Sequence, residues 1–133
     1  MSLLTALLLQ LLSVSLPQAD APSELHWRAC LLGQTKVQQQ CQGALQQFDW
    51  HQAKAEIYRL KDQGAWRLPT ADELSSLIDN APEVLAKVSD QWLLSASVLR
   101  HGNELLVAAV HYPSGKVEYI PVREPALVLL VEI

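Results

Sequence analysis

The chain has 133 residues, 50% hydrophobic and 18% charged, with a formal net charge of −4. That length allows one domain with a real core and is short for two, and the composition is globular rather than disordered. Lys and Arg do not cluster, which argues against nucleic acid or an anionic membrane as partner, since both demand a concentrated basic footprint.

Met1 to Gln18 carries no charged side chain, and Leu3 to Leu16 is almost wholly apolar. About 14 residues is the length of a signal-peptide core, whereas a bilayer span takes roughly 20. Ala19-Asp20-Ala21 offers the small-x-small pattern of a cleavage site. Against this stand the lack of a basic residue before the apolar run and Pro22 just after the cut; a buried apolar N-terminal helix is the competing reading. The expectation is a signal peptide over 1–21 and a single domain over 22–133, periplasmic or secreted to the cell surface, with no stable membrane span once the signal is removed. Cys30 and Cys41 are the only cysteines. An even count in an exported domain suggests a disulfide, which on the chain-entropy argument stabilises by about 2–3 kcal/mol. A metal site or a redox pair are the alternatives. Zinc would need two further ligands at regular spacing, and the chain contains no C-x-x-C.

After the leader, Ser23 to Ala29 can enter a first strand with Leu25 and Trp27 on one face. The segment between the cysteines, LLGQTKVQQQ, reads as a turn at Gly33 followed by a solvated glutamine loop. A first helix starts near Asp49, where Asp49 and Gln52 have capping-box spacing. Trp50, Ala53, Ile57 and Leu60 form its apolar face, and Gly64 is its stop signal. Pro69 holds Leu68 extended. Thr70 and Glu73 then repeat the capping box, with Asp72 and Glu73 adding negative charge where the helix dipole favours it. Leu74, Leu77 and Ile78 are the apolar stripe of this second helix, which ends at Asn80 and Pro82; a short third turn fits 82–89.

From Gln91 the periodicity changes to that of strands. Trp92 to Val98, Glu104 to Tyr112 and Lys116 to Val122 read as three, with turns at His101-Gly102-Asn103 and Pro113-Ser114-Gly115. Ala126 to Ile133 (ALVLLVEI) is dense in branched residues and reads as a central strand buried on both faces. Helices first and antiparallel strands after them make an α+β domain, two helices packed on a twisted, mainly antiparallel sheet.

The series Arg28-Ala29-Cys30-Leu31-Leu32-Gly33-Gln34-Thr35, Cys41-Gln42-Gly43, Phe48-Asp49-Trp50-His51-Gln52-Ala53, Trp66-Arg67-Leu68-Pro69-Thr70 and Glu73-Leu74, with Leu77-Ile78-Asp79, resembles the Lcl C-terminal domain family (DUF1566). The likeness runs from about Trp27 to the C-terminus. It implies a C-type-lectin-like fold, an extracytoplasmic and mostly non-enzymatic role that includes glycan binding in some members, and a disulfide between Cys30 and Cys41. The second half departs from the family pattern: Trp92-Leu93-Leu94-Ser95 stands where members carry W-S-S, and the chain ends on Leu129-Leu130-Val131-Glu132 where they tend to carry R-L-V-R.

No cofactor or metal is expected. Glu124-Pro125-Ala126 superficially resembles a calcium-lectin loop, but its third residue offers no side-chain carbonyl and reads as a turn. Ser95, His111 and Asp90 are the residue types of a hydrolytic triad, yet nothing in the sequence places them together and there is no G-x-S-x-G elbow. His26, His51, His101 and His111 lack metal spacing. Trp66 and Trp92 are the aromatic side chains suited to stacking on sugars, with core packing favoured for Trp66, and Arg67 is expected to pair with an acidic neighbour. The expected function is an exported non-catalytic binding module for a glycan or surface polymer, its ligand-binding residues unknown. The alternative is an envelope structural or accessory protein acting through a protein partner.

Overall fold

The computed structural model describes residues 25–80 and 82–133. The leader expected over 1–21, together with Ser23 and Glu24 of the expected first strand, lies outside the described residues. The elements in order are β1 (Thr35–Val37), β2 (Gln40–Gln42), α1 (Trp50–Arg59), a 3-10 turn (Lys61–Gln63), β3 (Trp66–Arg67), α2 (Ala71–Asp79) and a second 3-10 turn (Glu83–Leu85). Then come β4 (Gln91–His101), β5 (Glu104–Tyr112), β6 (Val117–Pro121) and β7 (Val131–Glu132). Among the described residues the fold is α+β: two helices against antiparallel pairings of β1 with β2, β3 with β7, and β4–β5–β6 in that order.

Both helices begin where the sequence places them. The Asp49 carboxylate accepts from the Gln52 N–H at 2.8 Å, and the Gln52 amide oxygen accepts from the Asp49 N–H at 3.0 Å. Each box satisfies two backbone N–H groups that a helix start leaves without a partner. α1 stops at Arg59 and passes into the 3-10 turn before Gly64, whose φ of +128° favours glycine. Ala53 is fully buried, and Trp50, Ile57 and Leu60 pack beside it, so the expected apolar face is the one that meets the core.

The entry to α2 is more heavily tied. Thr70 Oγ1 accepts from the Glu73 N–H at 3.1 Å, and Glu73 Oε1 accepts from the Thr70 N–H at 2.8 Å. Arg67 clasps the same carboxylate with both guanidinium nitrogens, each at 2.8 Å. The bidentate Arg67 hydrogen bonds, with the cap, hold the Glu73 carboxyl down at about 2 from its ordinary 4.5. The extended Trp66–Arg67 segment that brings the arginine there is β3, paired with β7 at Trp66↔Glu132 and Arg67↔Val131.

β4 is longer than the sequence indicates, running to His101, so its turn to β5 has only Gly102 and Asn103 at its centre. Gly102 has φ +62° in the first central position, the requirement of a type II′ hairpin turn. Between Leu94 and Val98 the register of β4 shifts, leaving Ser95, Ala96 and Ser97 opposite Ala108 alone. This bulge receives the start of α2: the Ala96 N–H donates to Pro69 O at 2.7 Å, and Ser97 Oγ accepts from the Ala71 N–H at 3.1 Å. Ser95, the one buried polar residue of those described, donates to Ala108 O at 2.7 Å and accepts from the Ser97 N–H at 3.0 Å. It therefore supplies the backbone partners that the bulge removes.

Three expectations are corrected. The glutamine segment between the cysteines is not a plain loop but an exposed hairpin, β1–β2, turning on Gln38 (φ 50°) and Gln39 (φ 68°). The Cys30–Cys41 disulfide, with Cα atoms 5.5 Å apart, closes this excursion at its base. At the front of the domain, the expected first strand reduces to a bridge of Trp27 with Val131. The C-terminal strand keeps its burial over 126–131 but not its regularity, because its partners change along its length. Ala126 exchanges both backbone bonds with Phe48, Leu127 bonds β4 in parallel sense, and Val128 and Leu130 accept from Leu32 and Arg28. Only Val131–Glu132 forms a regular ladder.

This segment divides the core. Leu127 and Leu129 enter one cluster with Leu31, Leu74, Leu85, Leu93 and Val110. Ala126, Val128 and Leu130 enter the other, with Leu32, Ala53, Leu94 and Val107. α2 lies on the first cluster and α1 on the second.

Two outcomes follow for stability. A depressed folded-state carboxyl stabilises above its unfolded value and loses that contribution as pH falls. Urea unfolding at a series of pH values is expected to show the wild type losing about 2 kcal/mol more than Glu73→Gln as pH drops from 4.5 toward 2, after allowance for solvent screening. Ser95→Ala leaves the buried Ala108 carbonyl and Ser97 N–H without that partner. It is expected to cost about 2 kcal/mol in urea denaturation, against about 1 for Thr70→Ala, whose groups reach solvent.

Candidate functional site

Among the described residues, two open clefts and one side-chain constellation bring polar side chains together. The first cleft, about 690 Å³, lies between the segment around the disulfide and the far end of α1, with Arg28, Leu32, Gln34, Lys36, Leu60 and Trp66 on its walls. Trp66 is half-buried: it packs against the second core cluster, and its indole N–H donates to Gln63 O at 3.3 Å. The Arg28 guanidinium stands 5.7 Å from the centre of its ring. The backbone of Arg28 is fixed by the bond from its N–H to Leu130 O at 2.8 Å.

Arg28 is electrostatically out of balance. Among the described residues no carboxylate lies within ion-pair distance of it, and Glu56, the acidic residue of the cleft, is engaged by Arg59 at 3.0 Å. Burial pushes the Arg28 guanidinium below its ordinary value, a sign that desolvation is not offset by a partner. The stack on Trp66 returns only part of that cost. The result is an amphipathic cleft, apolar along Leu32, Leu60 and Trp66, with donors from Arg28, Gln34 and Lys36 at its edge.

The second cleft, also about 690 Å³, gathers His51 from the first turn of α1, His101 and Glu104 from the β4–β5 hairpin, and Arg123 from the loop after β6. His51 also meets Trp50 edge-on at 5.3 Å. Pro121, Val122 and Leu105 form its apolar part.

The constellation is centred on His111. Its Nε2 lies 2.6 Å from Asp90 Oδ1, and its Nδ1 lies 2.7 Å from Ser114 Oγ. The imidazole is only 16% exposed and packs at 5.0 Å against Trp92. Of the three residues considered as a triad from sequence, Asp90 and His111 do come together, across the β4–β5 pair. Ser95 does not, being buried in the bulge. Ser114 takes the third place, and the signal for it was present in the sequence: a turn-forming Pro-Ser-Gly directly after His111-Tyr112 folds the serine back over the histidine.

Other candidates fall apart from these. His26 lies 3.6 Å from Glu132, at the opposite end of the chain. Glu124-Pro125-Ala126 is the turn into the C-terminal segment, closed by Glu124 N–H to Pro121 O at 3.0 Å. Asp72 is exposed in the first turn of α2, and Glu73 is consumed by its cap and by Arg67, the acidic partner expected for that arginine. The cysteines are bonded to one another, which replaces the metal and redox alternatives with a disulfide. Among the described residues, no group of three His, Cys, Asp or Glu side chains is placed to hold a metal ion, and no helix is long and apolar enough to cross a membrane.

Compared with known proteins, the chain matches no family model, no curated protein and no solved structure. The reading of this surface therefore rests on its own geometry.

An unpaired, desolvated arginine contributes little to folding. Arg28→Met preserves the packing of the aliphatic stem over Trp66 while removing the charge. The expected thermal midpoint is equal to or above that of the wild type; a fall of several degrees would show that Arg28 is held by a structural partner instead.

Proposed function

We propose that the chain is an exported binding module of C-type-lectin-like fold whose Arg28–Trp66 cleft recognises a glycan or surface polymer without catalysing its conversion. The observation that carries this reading is the cleft's mixed lining. A sugar ring presents an apolar C–H face and a rim of hydroxyls, and such ligands suit a concave site with an apolar floor and a few placed polar groups. Trp66, Leu60 and Leu32 provide the first, and Arg28, Gln34 and Lys36 the second. A disulfide-stapled domain fits a periplasmic or cell-surface setting, where oxidising conditions preserve the bond. Membership of the Lcl C-terminal domain family is part of the same proposal. Trp66 lines the cleft and opens the stretch that leads into α2.

A second reading, an envelope accessory protein acting through a protein partner, is favoured by a different surface. By register, Leu99, Leu106, Pro121, Tyr119 and Val117 share one face of the β4–β5–β6 sheet. Leu99, Tyr119 and Val117 are each 44–48% exposed. Apolar side chains grouped in this way, on the part of the face that α2 leaves uncovered, are a feature of protein contact surfaces.

The two readings separate in one comparison. Glycan-array binding that is present for the wild type and reduced at least 10-fold by Arg28→Ala, with Tyr119→Ser unchanged, is the expected result. A clean array, with a single stoichiometric protein recovered from envelope extract and lost on Tyr119→Ser, overturns the glycan reading in favour of the second.

A further inference from the structure

The Asp90–His111–Ser114 constellation belongs to neither cleft. For a neutral His111 the hydrogen-bond directions follow from which groups can only accept. The Asp90 carboxylate only accepts, so the proton of a neutral His111 resides on Nε2 and points at Asp90. That leaves Nδ1 as an acceptor, and the Ser114 hydroxyl must donate to it. The order of events is that of an activated nucleophile: a hydroxyl whose proton is already aimed at a base, and a base whose tautomer is fixed by a carboxylate. The ring nitrogens are used in the opposite order from the Ser-His-Asp template, but each group has the same task.

Further features separate this trio from a plain turn clamp. The imidazole is largely shielded and backed by Trp92, while Ser114 at the tip of the β5–β6 hairpin is exposed. Asp90 holds a left-handed φ of 52°, a conformation that aspartate tolerates better than most residues. The Lys116 N–H donates to Ser114 Oγ at 3.2 Å, using one lone pair and leaving the other toward solvent. Among the described residues, the Ser114 N–H has no acceptor, so it remains available to a developing oxyanion beside the nucleophile.

We infer that Ser114 is a general-base-activated nucleophile, competent for acyl transfer from small, solvent-accessible carboxylic esters such as acetyl esters. A small acyl group is the choice that asks least of the surface, because Ser114 lines neither cleft. Ser114 Oγ attacks the ester carbonyl carbon as its proton passes to His111 Nδ1, and Asp90 stabilises the resulting imidazolium. The bond to the leaving alcohol breaks, and that alkoxide takes the proton from Nδ1, leaving acyl-Ser114. Water then attacks the acyl carbon while giving a proton to Nδ1, and Ser114 departs with it, releasing the carboxylic acid. Ser114 and His111 are the reacting groups; Asp90 is a positioning residue.

The test uses the intact chain, with a fluorophosphonate as covalent probe and p-nitrophenyl acetate as substrate. With the first, Oγ–P forms as P–F breaks, and the proton passes to Nδ1. Mass spectrometry is expected to find one adduct, on Ser114, that is absent from Ser114→Ala and from the urea-unfolded wild type. Ester hydrolysis is expected to fall about 100-fold in Ser114→Ala and His111→Ala. Asp90→Asn should retain the fold but shift the pH profile of hydrolysis as well as its rate, which a merely structural role would not do. No adduct on the folded wild type, or equal labelling of folded and unfolded chain, overturns the inference without reference to any variant. Because these residues lie outside both clefts, either result leaves glycan binding to be judged on its own array.

Discussion

The constraint on which the rest of the structure depends is the burial of residues 126–131 between two half-cores. Each of these residues is at most 1% exposed. A segment in that position must give its odd residues to one side and its even residues to the other, because consecutive side chains of an extended chain point to opposite faces. Leu127 and Leu129 accordingly meet α2, and Ala126, Val128 and Leu130 meet α1. Its backbone polar groups must also be satisfied without water. Phe48, Trp92, Leu94, Leu32 and Arg28 all do so, from three separate stretches of chain. The last part of the sequence therefore assembles the first. The cleft inherits its position from this arrangement, since the Arg28 backbone is pinned to Leu130 and β3 to β7.

A second economy operates at the start of α2, where one carboxylate and two serines do the work of a larger interface. Glu73 closes a cap and neutralises Arg67 in the same act, and the arginine's own position is set by β3. The neighbouring bulge in β4 turns three residues out of the ladder and uses them to receive the loop before the helix. A bulge usually leaves backbone groups without partners. Here Ser95 supplies them from within, and among the described residues no buried side-chain nitrogen or oxygen is left unpaired. The interior is satisfied, so groups left unmatched at the surface, Arg28 above all, stand out.

Local chemistry was the legible part of the sequence. Both capping boxes, the Gly102 turn, the apolar faces of the helices and the pairing of Arg67 with an acidic neighbour follow from residues within a few positions of one another. The hairpin between the cysteines was not legible, because a type I′ turn announces itself by Asn-Gly or Gly-Gly, and here two glutamines occupy left-handed conformations. The fragmented pairing of the C-terminal segment was hidden for a different reason. Its composition specifies burial, but its hydrogen-bond partners are scattered along the chain, and no local pattern encodes them. The cleft lies in the same class: Arg28 and Trp66 are brought together through β7, and neither residue carries that information alone. Composition supplied the right types for a triad, Asp90 and His111 among them, yet selected the wrong serine. The buried position of Ser95 is a property of the bulge, whereas Ser114 is reached by a tight turn.

The two surface sites differ in what the fold asks of them, and that difference bears on how each can act. Arg28 is anchored by its backbone and stacked by its side chain, but its charge serves no partner among the described residues, so a ligand that neutralises it recovers a desolvation already incurred. Such preorganisation favours binding, since little order remains to be imposed when the ligand arrives. The His111 trio is the reverse case. Both ring nitrogens of His111 have partners within the protein, so the imidazole itself gains little from a ligand at rest. What it offers is a proton path, with a donor hydroxyl, an acceptor nitrogen and a stabilising carboxylate in sequence, and such an array interacts most strongly with a partner whose charge is changing. A site with an unmet charge is suited to holding a molecule; a site with its charges matched and a proton poised to move is suited to reacting with one.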